Sequence, residues 1–434
     1  MGKDTKTVRW VGLALAVVGG LLIIKGITDM HVPLVLVPVH TWTPEPIVPT
    51  RTPVVAQSLP PTMQSGPVTD QSWTPVASPS PTVGPPPGSI DSATPTDVFS
   101  TQTPVSPAVD TNGTRVLEQP DSTSSSVAAH AVTEADRWRI GVSLPYGAGR
   151  DDNLAALGVG WVMDWNVRAS VDLSDGIDYA QTVRMGGGVL RPEADVLTSA
   201  AGARPGSLWL ISNEPDVRWQ DNVTPEVYAR LYHEAYTAIK LGDPTAQIAA
   251  GGISQPSDLR LRYLDLALQS YQDQFGAVLP AQVWHIHNYM LREERDSWGV
   301  DIPPGIADNA GALYSIADSG NLALFQDQIW AFRRWMASRG YGGRPLVVSE
   351  FGVPMPEDYG FPPDVMAEFL GETWRFFLTA SDASLGDPND GGRLVQRWCW
   401  FSLAYPEYPT GDLVERDRGA WTQLGLVWLS MMPR

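Results

Sequence analysis

The sequence predicts an α/β protein built as a (β/α)8 TIM barrel, and three observations carry the prediction. From Trp138 onward, short apolar runs alternate with longer helix-patterned stretches, the signature of βαβ units and a parallel sheet. Eight such runs fit into roughly 300 residues, the size of such a barrel. Two of the runs then enter a glutamate and a chain-turning Pro or Gly. They read Ile211-Ser212-Asn213-Glu214-Pro215-Asp216 and Val347-Val348-Ser349-Glu350-Phe351-Gly352.

The eight strands are expected at 139–144, 160–166, 180–185, 207–213, 247–251, 282–289, 345–350 and 395–402. Helices expected between them include 225–240, 259–274, 322–339 and 363–378. Thr224-Pro225-Glu226 is a helix start, with Thr as cap, Pro at the first helical position and Glu in the first turn. An open doubly wound sheet is the alternative, but no Gly-x-Gly-x-x-Gly follows the first strand. Gly186-Gly187-Gly188 after the third is too generic to count.

The barrel is expected at 133–434, behind a tether. Residues 1–9 carry Lys3, Lys6 and Arg9, and 10–24 are uncharged and apolar. A basic flank before an apolar core is the pattern of an export signal, or of an anchor whose N-terminus stays in the cytoplasm. With Lys25 snorkelling and Gly26-Ile27 extending the run, 10–28 reads as a signal anchor inserted in the membrane. A cleaved signal peptide is the alternative, which would make the protein secreted. Residues 29–132 are dominated by Pro, Ser and Thr, as in Ser78-Pro79-Ser80-Pro81, and lack the periodic apolar residues of a core. They read as an extended, disordered stalk holding an extracytoplasmic domain away from the bilayer.

A formal net charge of −18 disfavours a nucleic-acid partner, which needs a basic surface, and fits action on a neutral polymer. The single cysteine, Cys399, permits no intrachain disulfide and reads as a buried thiol. Neither cofactor nor metal is expected. His285-x-His287 on a strand has no third ligand at a recognisable spacing, and His233-Glu234 lacks the second His of a metalloprotease motif. The turn Asp387-Pro388-Asn389-Asp390-Gly391 lacks the distal Glu of a calcium loop and reads as solvated.

Glu214 ends the fourth strand and Glu350 the seventh. Barrel active sites form at the C-terminal strand ends, so both carboxylates are expected over one mouth. Two carboxyl groups so placed are what glycosidic-bond cleavage needs: one protonates the leaving oxygen while the other attacks the anomeric carbon. Strand alternation puts His285, His287 and Tyr289 on one face, toward the interior, with Tyr289 nearest the mouth and His285 a satisfied core histidine. Trp165, ending the second strand, and Trp219, after the fourth, are candidates for stacking on sugar. Asp164 and Asn288 are candidate ligands for sugar hydroxyls.

On Asn213-Glu214 and Glu350, the stretch from Trp138 onward resembles glycoside hydrolase clan A, the retaining (β/α)8 glycosidases. The longer string Ser212-Asn213-Glu214-Pro215-Asp216, with Gln220 and the Thr224-Pro225-Glu226 start, is similar to endo-β-1,3-glucanases of the "glycosyl hydrolase catalytic core" type. The resemblance implies a polysaccharide or oligosaccharide substrate, Glu350 as nucleophile and Glu214 as acid/base. It further implies that Asn213 donates to the sugar 2-hydroxyl, Tyr289 donates to the nucleophile, and His287 contacts sugar or the catalytic pair. By position Arg184 holds Glu350 ionised, and Trp400 lies as a floor under the sugar while Trp398 is core. Two other readings remain: a cell-surface glycan-binding protein on a hydrolase-derived barrel, which would not need the carboxylate pair, and a transglycosylase, which uses the same residues.

Overall fold

A computed structural model of the chain describes residues 132–145 and 151–433. The expected anchor, and the stalk apart from Val132, lie outside the described residues. No helix among the described residues is long and apolar enough to cross a membrane.

Nine short strands form one all-parallel sheet: β1 (Ile140–Ser143), β2 (Trp161–Met163), β3 (Asp178–Tyr179), β4 (Gln181–Val183), β5 (Leu208–Ile211), β6 (Gln247–Ile253), β7 (Val283–His287), β8 (Leu346–Phe351) and β9 (Arg397–Trp400). Their order is β3-β2-β1-β9-β8-β7-β6-β5-β4. Only Ala180 separates β3 from β4, and the two pair with β2 and β5 respectively. They are therefore two halves of one barrel strand, and the sheet closes into eight. Each of the eight windows expected from sequence holds a strand.

The four helices expected from sequence form as α3 (Pro225–Gly242), α4 (Asp258–Phe275), α5 (Leu322–Ser338) and α6 (Pro363–Thr379), joined by α1 (Asp151–Leu157), α2 (Ala194–Ala203) and α7 (Gln423–Met431). Between β2 and β3 the chain crosses without a helix. Thr224 occupies the cap position of α3, although its hydroxyl closes no capping bond. On α3 the residues Tyr228, Leu231, Tyr232, Ala235 and Ile239 are buried, a stripe at helical period that packs inward. Ser257 caps α4 through the Arg260 N–H, and Gly276 ends it in the left-handed conformation.

Alternation splits every strand between two layers. Trp161, Met163, Leu208, Leu210, Ala249, Val283, Val347 and Cys399 fill the barrel interior. Their neighbours Val162, Trp209, Ile211, Trp284, Ile286, Val348, Trp398 and Trp400 face the helices. Cys399 is free and buried, as expected. Gly141 is required opposite Trp161, because a Cβ there would stand 2.5 Å from the indole. The turn at 387–391 is exposed at Pro388, Asn389 and Gly391, as expected, while Asp387 is buried and Asp390 pairs with Arg139 and Arg393.

Candidate active site

The C-terminal ends of β5, β7 and β8 bring three titratable side chains into contact. His287 Nδ1 lies 3.1 Å from Glu214 Oε1, and its Nε2 lies 3.3 Å from Glu350 Oε1. One imidazole thus spans the two carboxylates, and all three side chains are almost completely buried. The Tyr289 hydroxyl donates to Glu350 Oε2 at 3.0 Å, and the Trp165 indole N–H donates to Glu350 Oε1 at 2.6 Å.

Local backbone irregularities aim these groups. In β8, Val348 pairs with Ile286 but Glu350, not Ser349, pairs with His287. Val348 and Phe351 both face the helices, so the extra residue of this bulge turns Glu350 inward, opposite His287. After β5 the chain bends through left-handed conformations at Ser212 (φ 74°) and Glu214 (φ 48°). The Glu214 N–H donates to the Gly252 carbonyl at 2.8 Å. Gly252, at φ 73°, has no room for a side chain, since a Cβ would stand 2.8 Å from the Ser212 carbonyl.

Two buried acids that sequence reasoning gave no role fix this bend. One Asp221 oxygen accepts from Met185 N, Asn213 N and Ser212 Oγ, each at 2.9 Å. Asp216 accepts from Ser254 N and Oγ and pairs at 2.5 Å with Arg260, which also holds Glu293 at 2.5 Å. Asp216, Arg260 and Glu293 have fully buried side chains, so this ion triad ties the segments after β5, β6 and β7 beneath the site. Asp216 follows Glu214 by two residues within the motif itself, which was its only signal in sequence.

Burial pushes the Glu350 carboxyl above its ordinary range, and the charge of Glu214 adds to this; His287, Trp165 and Tyr289 pull back without cancelling it. Burial works against a charged His287, but the two carboxylates outweigh it and raise its pKa. Burial and then Glu350 drive Tyr289 well above the usual phenol value, so it stays a donor. His285 is the opposite case. Its Nε2–H donates to the Ile211 carbonyl at 3.2 Å, Nδ1 accepts from Ser349 at 3.1 Å, and burial lowers its pKa to about 3. It is a neutral core histidine.

Four expected residues stand elsewhere. Arg184 does not hold Glu350; its guanidinium is taken by Asp221 at 2.7 Å and Gln220 at 2.9 Å. Trp400 does not face the barrel interior. It points into the helix layer, fully buried, with its indole N–H on the Gly411 carbonyl at 2.7 Å. Cys399 takes the inward position of β9, so the ring reaching the site is Phe401, which packs edge-on against Trp165 and Tyr289 at 6.1 and 6.3 Å. Counting the strand phase from Cys399 rather than from the tryptophans would have found it. Asn288 faces α5, donating to the Phe325 carbonyl at 3.0 Å, and Asp164 is held by Arg168 and Tyr179. Asn213 is buried beside Glu214, with Nδ2 3.4 Å from Gln220 Oε1. Trp219 stays exposed, with the Arg218 guanidinium over its ring at 4.9 Å. From Phe401 a run of rings continues to Tyr405 at 5.0 Å and on to Tyr408, stacked on Tyr405 at 5.9 Å.

The fold and site define a (β/α)8 barrel with two carboxylates meeting one imidazole at the C-terminal end of its strands. Among the described residues no cluster could hold a metal ion. No protein-family model matches the chain, and no curated protein matches it. Among solved structures it is similar to a GH128 subgroup I endo-β-1,3-glucanase from Amycolatopsis mediterranei, in complex with laminaritriose. That likeness has 18% identity over 68% of this chain and 99% of that one, with a TM-score of 0.47. It is also similar to a GH128 subgroup II endo-β-1,3-glucanase from Sorangium cellulosum, at 18% identity over the same shares and a TM-score of 0.44. A third is a GH128 subgroup III curdlan-specific exo-β-1,3-glucanase from Blastomyces gilchristii, in complex with glucose, at 17% identity over the same shares and a TM-score of 0.45.

Proposed function

We propose that this chain is a retaining glycoside hydrolase acting on a β-linked polysaccharide, with β-1,3-glucan as the expected polymer. The observation that carries the reading is the meeting of Glu214 and Glu350 across the single buried imidazole of His287. The choice of polymer rests on the string from Ser212 to Thr224-Pro225-Glu226.

The environments of the two acids divide the roles. Glu350 receives donors from Trp165 and Tyr289 and faces His287, a set that favours its ionised form. Glu214 has His287 on one oxygen, while its buried Oε2 has no protein partner. With these donors opposing the upward pull of burial on it, Glu350 is assigned the nucleophile and Glu214 the acid/base. In the first step a Glu350 oxygen bonds to the anomeric carbon, the glycosidic C–O bond breaks, and the Glu214 proton passes to the leaving oxygen. Once Glu350 is an ester its charge is gone. Glu214, now a carboxylate, takes a proton from water, whose oxygen attacks the anomeric carbon and frees Glu350.

The uncharged apolar residues 10–24 and the Pro-, Ser- and Thr-rich composition of 29–132 support an enzyme displayed outside the membrane. The full-length chain should be assayed on laminarin, mannan, xylan, cellulose and aryl glycosides, with the anomer first released read by NMR. Glu214→Gln and Glu350→Gln should each lower turnover at least ~10²-fold with the fold retained. Wild-type rates in both variants would overturn the assignment, and first release of the inverted anomer would overturn double displacement.

A further inference from the structure

Two histidines of β7 share the face of Val283, which fills the barrel interior, and their partners differ in kind. His285 meets a carbonyl and a hydroxyl, so one N–H and one lone pair satisfy it as a neutral ring. His287 meets a carboxylate at each nitrogen: Nδ1 is hydrogen-bonded to Glu214 Oε1 at 3.1 Å, and Nε2 stands 3.3 Å from Glu350 Oε1. A neutral imidazole would turn its lone pair toward one of those oxygens. An imidazolium presents an N–H to both.

The double displacement described above moves a negative charge from one acid to the other. Before the first step Glu350 is a carboxylate and Glu214 carries a proton; in the glycosyl-enzyme Glu350 is an uncharged ester and Glu214 is the carboxylate. All three side chains are nearly out of solvent, where a charge without a partner is far more costly than in water. A neutral His287 would have to carry its single N–H at Nε2 in one state and at Nδ1 in the other. A charged ring serves both states without moving a proton.

Among the described residues no other cation lies within ion-pair distance of either carboxylate. Arg184 is held by Asp221, and Arg260 by Asp216 and Glu293. Burial opposes a charge on His287, yet Glu350, the hydrogen bond and charge of Glu214, and Asp216 together raise its pKa. The remaining titratable neighbours bring no competing charge. Tyr289 stands edge-on at 5.9 Å as an uncharged phenol, Cys399 stays a thiol, His285 is neutral, and Asp216 is matched by Arg260.

We infer that His287 is a shared counter-charge, an imidazolium that pairs with Glu350 through Nε2 at rest and with Glu214 through Nδ1 in the glycosyl-enzyme. The use of that charge in two steps rests on the hydrolase reading above. His287 takes no proton from the substrate and gives none up, so it acts through the two acids as a positioning residue. The cluster holds one positive and one negative charge in both states. The negative charge therefore passes from nucleophile to acid/base without standing alone in the barrel.

The first test needs no substrate. The full-length chain, carrying isotope-labelled histidine, is compared by nitrogen NMR at neutral pH as wild type, Glu214→Gln, Glu350→Gln and the double variant. Both nitrogens of His287 should be protonated in the wild type and in each single variant, because one carboxylate remains beside the ring. In the double variant only Asp216 is left to oppose burial, and the ring should be neutral. A neutral His287 in the wild type or in either single variant, or a charged one in the double variant, overturns the shared charge.

His287→Gln should lower kcat/KM at least ~10-fold, the loss of a hydrogen bond to a charged group. It should also move the acid limb of the pH profile toward neutral, since the charge that held Glu350 ionised is gone. A variant that loses thermal stability while its acid limb stays in place overturns the proposal; should the variant unfold, the NMR comparison decides alone. An active wild type with a neutral His287 overturns the shared charge and leaves the hydrolase. A wild type that cleaves no glycan yet gives the expected NMR pattern overturns the hydrolase and leaves the shared charge.

Discussion

Replacing Trp165 with Phe separates two roles for that ring, stacking on sugar and holding the nucleophile. Three groups surround the Glu350 carboxylate: the Trp165 N–H at 2.6 Å, the Tyr289 hydroxyl at 3.0 Å and His287 Nε2 at 3.3 Å. The indole contact is the shortest, and Phe keeps an aromatic ring beside Phe401 while deleting only that donor. A hydrogen bond to a charged group is worth about 1.5–3 kcal/mol, which is roughly 10- to 150-fold in kcat/KM at one factor of ten per ~1.4 kcal/mol. The sign in pH follows from the same contact. The donor stabilises the ionised carboxylate, so its loss moves the Glu350 pKa further up. Activity needs that carboxylate ionised and is lost as pH falls through its pKa; the acid limb of the profile therefore shifts toward neutral. The assay is kcat/KM against pH on whichever glycan the wild type cleaves. An acid limb that stays in place while KM alone rises would mean that Trp165 only stacks, and the reasoning about the nucleophile would fail.

Tyr289→Phe should move the same limb in the same direction by less, because its contact is longer; a larger shift than in Trp165→Phe would contradict the ranking by distance. Arg260→Met leaves two buried carboxylates, Asp216 and Glu293, facing each other without their cation, and should cost about 3–5 kcal/mol in urea unfolding. A loss below about 1 kcal/mol would show that the triad carries little of the framework under Glu214. Asp412 accepts from the Tyr405 N–H at 2.6 Å, and burial raises its carboxyl to about 7. A group raised on folding contributes stability at low pH that is lost as pH rises from its unfolded value through about 7. Asp412→Asn should flatten that decline in a series of melting temperatures, and an unchanged slope would remove Asp412 from the account.

Much of the barrel was legible because it rests on local pattern. Apolar runs of strand length, spaced by helix-patterned stretches, marked all eight barrel strands, and the Thr224-Pro225 start and the stripe on α3 follow from spacing alone. The missing helix between β2 and β3 was not legible, since a barrel can close over an irregular crossing without altering the strand pattern. In the site, strand alternation put His287 and Tyr289 on the inward face, while Glu214 and Glu350 were singled out only by their place at a strand end before a turn. Trp400 was misplaced by one residue of phase: in a strand buried on both faces, hydrophobicity does not distinguish inside from outside. Arg184 was misassigned because its partner, Asp221, lies 37 residues away in sequence. Only the folded chain sets those two together.

By itself, then, the sequence determined the number of barrel strands, their parallel sense and the two acids that end the fourth and seventh, because each depends on residues close together in the chain. Tertiary structure alone decided that a bulge in β8 turns Glu350 inward and that His287 spans both acids. It also decided that Asp221 and the Arg260 triad brace the bend at Glu214. Those outcomes depend on register between strands and on closure of the ring, which join residues far apart in sequence.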